Sequence, residues 1–202
     1  MSSVDPSRGS KVRFVHELPV IETERLILLI AMSDHVGHIV RYLKRNRDHL
    51  QPWEPKREDD YFTEAAWIGA PERDQHEAHS REAYRFRLLV KGGDGEFAGT
   101  ISLRDIDFWP NNNATLGYSL DRAYQGQGLM REAVEAVIRF GFDNLNLRRI
   151  EACYMPANKR SEQLLSALGF QYEGLLRSSM EVDGVWEDHK LCALINYNWQ
   201  RT

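Results

Sequence analysis

Polar and apolar positions along this chain alternate with two distinct periods. Arg25–Ile30, a short apolar run after Arg25, reads as a first strand. Ser33 then fits an N-cap with Asp34 in the first turn, and the helix it opens runs to about Arg45, with Val36, Ile39, Val40 and Leu43 at helical spacing. Pro52 and Pro55 forbid a continuous helix between Asp48 and Tyr61. A second helical segment, Thr63 to about Arg81, is polar on most faces and interrupted by Pro71. The period then changes to two: Tyr84–Val90, Phe97–Ile106 and Ala114–Leu120 read as strands, separated by Gly92–Gly95 and Pro110–Asn113 as turns.

A long amphipathic helix is expected over Leu129–Asp143, with Met130, Ala133, Val134, Val137, Ile138 and Gly141 on one face. Arg148–Tyr154 is a further strand, Asn158–Leu168 a further helix with Gly169 as its C-cap, and Phe170–Val182 with Val185–Asn196 a hairpin about Asp183-Gly184. Runs of strands with interposed helices predict an α/β fold: a single-domain mixed, mostly antiparallel sheet flanked by helices. No repeat or linker divides the chain, so residues 1–22 read as an N-terminal tail and lead-in, mobile at its start, and residues 23–199 as the domain.

The formal charge of −4 offers no excess of cations to displace counterions, which argues against general nucleic-acid or acidic-membrane binding, and no direct sequence-specific nucleic-acid binding is expected. The apolar run Leu26–Met32 is far short of the roughly 18–20 residues a membrane span needs. Cys153 and Cys192 are too few for a disulfide framework or a four-thiolate zinc site, and a cytoplasmic protein is expected. The pairs His35/His38 and His76/His79 find no third ligand at a sensible spacing, so no metal is expected.

Two stretches carry chemistry. In Leu120-Asp121-Arg122-Ala123-Tyr124-Gln125-Gly126-Gln127-Gly128-Leu129-Met130-Arg131 a strand passes through a glycine-containing loop into a helix. Such a loop can turn backbone N–H groups toward an anion, reinforced by the helix N-terminus. It lacks the Gly-Lys-Ser/Thr of a P-loop and the Gly-x-Gly-x-x-Gly of a dinucleotide fold, so a phosphate site and an ordinary glycine turn both stay open. The second stretch, Arg148 to Ser161, again leads a strand into a helix and delivers Asn158 and Ser161 to its start, where helix capping alone would also account for them.

Together these stretches resemble the GNAT superfamily of N-acetyltransferases. Gln125-x-x-Gly128-x-Met130 is similar to its pyrophosphate loop, with Met130 where the broad motif prefers Gly or Ala, and Asn158 with the helix ending Leu168-Gly169-Phe170 is similar to its second cofactor element. Asn46-Arg47-x-His49-Leu50-x-x-Trp53-x-Pro55, Gly117-Tyr118-x-Leu120, Pro156-x-Asn158-x-x-Ser161, Glu173-Gly174 and Asp183-Gly184-x-Trp186-x-Asp188-His189 resemble the narrower RimJ/RimL group of ribosomal-protein alanine N-acetyltransferases, most of all its RimJ branch, which modifies the small-subunit protein S5.

The resemblance implies direct transfer of acetyl from acetyl-CoA to an N-terminal amine in a ternary complex. It implies that Leu120, Gln125, Gly126, Gln127, Gly128, Leu129, Met130, Arg131 and Asn158 bind the cofactor, and that Ser161 protonates the departing thiolate. At the position of the family's strand glutamate this chain has Cys153. Glu151, two residues earlier and on the same strand face, is the candidate base, with an ion pair to Arg149 as the structural alternative. Both cysteines sit amid apolar strand residues, which argues against a nucleophilic thiol. Tyr118 and His189 are candidates to face the reaction centre. Trp53, Tyr61, Trp109 and Trp186, with Glu54, Glu58, Asp59, Asp60 and Glu64, are candidates for an acidic, partly apolar mouth that receives a basic peptide. The expected partner is a ribosomal-protein N-terminus or another primary amine, with the ribosome itself a candidate. A small-amine or antibiotic acetyltransferase and a non-catalytic acetyl-CoA-binding assembly factor are the rival readings.

Overall fold

The alternating segments become strands and the 3.6-period segments helices, in the predicted order, behind two strands that the pattern does not announce. The computed structural model describes residues 9–201. Residues 1–8, most of the stretch read as a mobile tail, lie outside the described residues. The strands are β1 (Lys11–Val15), β2 (Leu18–Glu22), β3 (Leu26–Ile30), β4 (Tyr84–Val90), β5 (Phe97–Asp107), β6 (Asn113–Leu120), β7 (Arg149–Tyr154), β8 (Gln171–Val182) and β9 (Val185–Ile195). They form one nine-stranded sheet in the order β1-β2-β3-β4-β5-β6-β7-β9-β8. Every adjacent pair is antiparallel except β6 with β7.

The sheet therefore begins at Lys11, inside the segment read as lead-in. The β1–β2 turn is built by His16 and Glu17 at φ 49° and 66°, a left-handed conformation that no Gly or Asn advertises. β1 is almost wholly exposed and shows no alternation, whereas β2 buries Leu18 and Ile21.

The helices are α1 (Val36–Leu50), α2 (Glu64–Trp67), α3 (Ala70–His79), α4 (Leu129–Arg139) and α5 (Lys159–Ala167). Several boundaries differ from expectation. Ser33 is not an N-cap: it lies in a 3₁₀ turn and donates to Glu72, while His35 Nδ1 accepts from the Met32 N–H. α1 continues past Arg45 to Leu50 because Asn46 and Leu50 still find buried positions. Pro71 does not interrupt a helix but sits in the first turn of α3, where its missing N–H costs nothing. α4 gives way to a π-helical turn, Phe140–Asn144. Gly169, at φ 90°, closes α5 as expected, with the Phe170 N–H reaching back to Leu165.

One apolar core lies between the sheet and α4, whose Met130, Ala133, Val134, Val137 and Ile138 meet Leu28, Phe86, Leu88, Ile101 and Leu103. A smaller cluster of Ile39, Tyr42, Leu43, Leu50, Phe62 and Phe97 seats α1. No described helix is long and apolar enough to cross a membrane.

The site is set by where β6 and β7 stop pairing. Their parallel ladder joins Asn113–Leu116 to Arg149–Ala152 and ends there. Gly117–Leu120 continue along β5 alone, and Cys153 and Tyr154 along β9 alone. The strands part, and α4 and α5 both begin beyond that open end, where parallel strands characteristically present ligand crevices.

Candidate active site

The loop from β6 to α4 presents an uncommitted row of donors. Among the described residues, none of the backbone N–H groups from Gly126 to Arg131 donates to another protein atom outside the helix ladder, and the first such bond runs from Glu132 to the Gly128 carbonyl (3.1 Å). Gly126 and Gly128 hold φ 75° and 76°, which turns the main chain into the helix start at little steric cost. A Cβ on Gly126 would meet nothing within 4 Å, so the loop's outer surface faces open space. Unsatisfied N–H groups at a helix N-terminus form a concavity suited to phosphate oxygens. Leu129 and Met130 turn their side chains into the core, so the Met130 departure from the broad motif leaves the loop's outer surface clear.

This loop is held from three sides. Glu132 receives Arg25 Nε (2.7 Å), the Arg25 N–H (2.8 Å) and the Thr23 hydroxyl (2.6 Å), while Arg25 also donates to the Gln127 carbonyl (2.8 Å). Gln125 donates to His49 of α1 (2.8 Å) and accepts from Arg160 of α5. The buried Asp121 receives Arg45 Nε (2.5 Å), Asn46 Nδ2 (3.0 Å) and the Ala123 N–H (2.8 Å), and Asn46 Oδ1 accepts from the Arg122 N–H (3.1 Å). Burial alone would raise the Asp121 carboxyl, but the Asn46 and Ala123 hydrogen bonds and the Arg45 pair hold it below the usual aspartate range. Asn46 and His49 thus act as positioning residues for which the sequence offers only a motif without a role. Their spacing on a helix that ends near the loop was the available signal.

On α5, Asn158 Oδ1 accepts from the Ser161 N–H (3.1 Å), so the Asn158 side chain caps the helix. This caps the α5 terminus internally, unlike that of α4. Across the opening stands Tyr118, on the same sheet face as Leu116 and Leu120. Its phenol is pushed up to about 12 by burial, partly offset by the Ser161 hydroxyl beside it. The buried Tyr118 Oη makes no well-formed hydrogen bond among the described residues. Tyr118 and Ser161 are therefore brought together at the open end.

Other candidates are placed differently. Glu151 lies opposite Thr115, within the paired part of β6 and β7. It receives Arg149 Nε (2.7 Å), and Arg149 is shared with Glu173 (2.8 and 2.5 Å). The ion pair set against a base role is thus present. Cys192 is buried, but Cys153 is exposed: it still pairs with Leu191 of β9 but lies just past the last position paired with β6. Partial burial and the Glu151 charge still push the Cys153 thiol up, so it remains protonated and weakly nucleophilic. His189 is buried and its Nδ1 lies 3.1 Å from Ser179 Oγ and 3.2 Å from the Glu187 carbonyl. Among the described residues no group of three or more His, Cys, Asp or Glu could hold a metal ion.

On the other sheet face, the turn after α1 carries Trp53 and Glu54, and Tyr61, in the 3₁₀ turn Asp59–Phe62, lines the same cavity as Glu54. The acids here are interleaved with cations: Arg47 pairs with Asp59 (2.8 Å) and Arg57 lies 4.5 Å over the Tyr61 ring. Trp109 does not belong to this mouth. It sits in the β5–β6 connection at the opposite end of the strands, under Arg201.

A family model described as the Acetyltransferase (GNAT) domain matches residues 25–171. The ribosomal protein uS5-alanine N-acetyltransferase of Escherichia coli (strain K12) is 33% identical over 182 residues, covering 89% of this chain and 92% of that protein. The probable N-acetyltransferase YjcK of Bacillus subtilis (strain 168) is 37% identical over 151 residues, 75% of this chain and 83% of that protein. Among solved structures, the ribosomal-protein-S5-alanine acetyltransferase from Vibrio fischeri aligns with a TM-score of 0.85 at 37% identity, covering 90% of this chain and 99% of that one. Mycobacterium smegmatis RimJ, in complex with CoA-disulfide, aligns with a TM-score of 0.81 at 25% identity, covering 96% and 90%. The chain belongs to the GNAT acetyltransferase family. It is an acetyl-CoA-dependent N-acetyltransferase, and within the family it is similar to the RimJ/RimL ribosomal-protein acetyltransferases.

Proposed function

We propose that this enzyme transfers acetyl from acetyl-CoA to the N-terminal α-amine of a ribosomal protein, of the alanine type and S5-like, by direct attack in a ternary complex. The observation that carries the cofactor half is the row of unpartnered N–H groups from Gly126 to Arg131, beside strands that have parted. Those donors suit the pyrophosphate, and the free edge of Gly117–Leu120 suits the pantetheine arm, with Leu120 and Gln125 at its two ends. Gln127 and Arg131 take part through their backbones. Asn158 orients the helix that carries Ser161.

The chemistry asks three things of the chain. A backbone N–H of Tyr118–Leu120 stabilises the oxyanion that forms when the amine attacks the thioester carbon. As the carbon–sulfur bond breaks, Ser161, backed by Tyr118, donates a hydrogen bond and a proton to a thiolate whose conjugate acid has a pKa of roughly 8.5. A carboxylate receives the proton lost by the amine; Glu151 serves only by releasing Arg149.

The acceptor half rests on the relatives' named substrates and on the acceptor-side cavity. It measures about 90 Å³. That is well below the ~300–1,000 Å³ of small-molecule sites, and it suits the first residue of a peptide better than an antibiotic. Trp53 and Tyr61 flank the peptide's entry. A ribosomal-protein acceptor would place the enzyme in the cytoplasm, with the nascent or assembled ribosome as a further partner. The test is thiol release from acetyl-CoA with a basic peptide beginning Ala, against the same peptide N-blocked and against spermidine. The free α-amine is expected to react at least ten times faster. Equal rates overturn the assignment, and no release with any amine supports the non-catalytic rival.

A further inference from the structure

The acceptor-side cavity contains a carboxyl group that the reaction as described leaves unused. The cavity lies between the end of α1 and the turn that follows, walled by Leu43, Leu50 and Phe62. Glu54 is the one acidic side chain lining it. Among the described residues Glu54 makes no side-chain hydrogen bond and no ion pair, and burial pushes its carboxyl above the usual glutamate range, with Arg57 acting in the opposite sense. Its backbone is fixed: the Glu54 carbonyl accepts from the Asp183 N–H (3.1 Å), and Gln51 Nε2 donates to Asp183 Oδ1 (2.8 Å), tying this turn to the β8–β9 hairpin. Inward, the Glu54 charge is felt by Tyr42, whose hydroxyl is 2.9 Å from Ser119 Oγ on β6. Ser119 lies between Tyr118 and Leu120 in the strand segment that stands open, so Tyr42 links the helix that walls the cavity to that segment.

A carboxylate partly withdrawn from water without a partner is costly unless a cation arrives. The local cations do not fill the role: Arg47 is engaged by Asp59, Arg57 lies over Tyr61, and Lys56 is exposed. A primary ammonium has three donors and fits a small cavity. We propose that Glu54 is the acceptor-recognition residue: its carboxylate binds the incoming α-ammonium and takes the proton that must leave before attack. The balance is complete. The ammonium gives one proton to Glu54 and from there to solvent, the amine lone pair forms the N–C bond, the C–S bond breaks, and a second amine proton ends on the thiol. An α-amine, with a pKa of about 7.7–8.0, asks only for such a weak base. This inference rests on the α-amine reading above.

The test compares the wild-type chain with Glu54→Gln and Glu54→Asp on the Ala-starting peptide. Expected for Glu54→Gln is a fall in kcat/KM of about 100-fold, loss of the acid limb of the pH profile, and unchanged Tm and acetyl-CoA Kd. Glu54→Asp recovers part of the rate. The charged and titratable groups around Glu54, namely Arg47, Lys56, Arg57, Tyr42 and Tyr61, are left in place and the same peptide amine is used throughout, so the difference between the two acid limbs reports the carboxyl itself. A Glu54→Gln variant within threefold of wild type, with its acid limb intact, overturns the inference. So does a loss of rate that comes with lost acetyl-CoA binding. If wild type acetylates a lysine side chain as fast as the α-amine, the underlying reading falls as well. If wild type prefers the α-amine and Glu54→Gln keeps that preference at full rate, only the Glu54 assignment falls.

Discussion

The Ser161 hydroxyl lies beside the buried phenol of Tyr118, across the gap where β6 and β7 part. One residue comes from a helix start and the other from a strand separated from it by a whole βαβ crossover. On the reading proposed above, a departing thiolate in that gap would meet both hydroxyls.

Ser161→Ala is expected to lower kcat by about 10–100-fold while acetyl-CoA Kd stays within twofold, as read by stopped-assay kinetics and calorimetry. Adding Tyr118→Phe should cost less than the product of the two single losses, because the hydroxyls share one task. A collapse of cofactor affinity with normal turnover of the bound complex would reduce Ser161 to a capping-turn residue.

Gly126→Ala and Gly128→Ala each force a Cβ onto a left-handed backbone, at about 1–2 kcal/mol of strain. The loop is expected to relax out of its donor-presenting form, raising acetyl-CoA Kd about tenfold or more. Peptide KM at saturating acetyl-CoA should change little. Titration calorimetry with CoA checks this without any turnover.

Asp121 joins α1 to the cofactor loop, so its removal is expected to be felt both in stability and in cofactor binding. Asp121→Asn should cost about 2–3 kcal/mol at neutral pH, since it discharges a buried acceptor of Arg45 and Asn46. The pH dependence has a definite sign. An aspartate whose folded-state pKa is depressed contributes fully above its unfolded value of about 3.9 and loses that contribution as pH falls through the lower folded value. The stability gap between wild type and Asp121→Asn should therefore be constant from pH 7 to about 5 and shrink below about 3.9. Urea titrations across that range measure it.

His49→Ala tests whether Gln125 needs its α1 partner. The expected result is a several-fold rise in acetyl-CoA Kd with kcat nearly unchanged, because His49 touches Gln125 and not the reacting atoms.

The parts of this molecule legible in the sequence are those governed by local rules. Short apolar or alternating runs bounded by turn residues locate β3 to β9 within a few residues, and Gly126-Gln127-Gly128 between a strand and a helix marks the donor loop, because left-handed glycines and helix N-termini are local features. β1 and β2 escaped notice because their turn uses His16 and Glu17, which carry no turn signature, and because β1 has no buried face. Long-range placement was the other limit. Sequence spacing put Glu151 on the right face of its strand but gave no sign that Arg149 and Glu173 hold it. Likewise, nothing near Glu54 in sequence shows that the hairpin turn at Asp183 clamps it over a cavity. As a loop aromatic Trp109 is equivalent to Trp53 in the sequence, and only the path of β5 into β6 carries it to the end of the strands away from the cofactor loop.

The most direct test of the central claim is to map where the acetyl group goes. A basic peptide beginning with Ala and containing several lysines is incubated with enzyme and acetyl-CoA, and the product is sequenced by fragmentation mass spectrometry. A single acetyl on the N-terminal α-amine, with every lysine unmodified, is the predicted result. Acetyl found on the lysine side chains at comparable occupancy would contradict it.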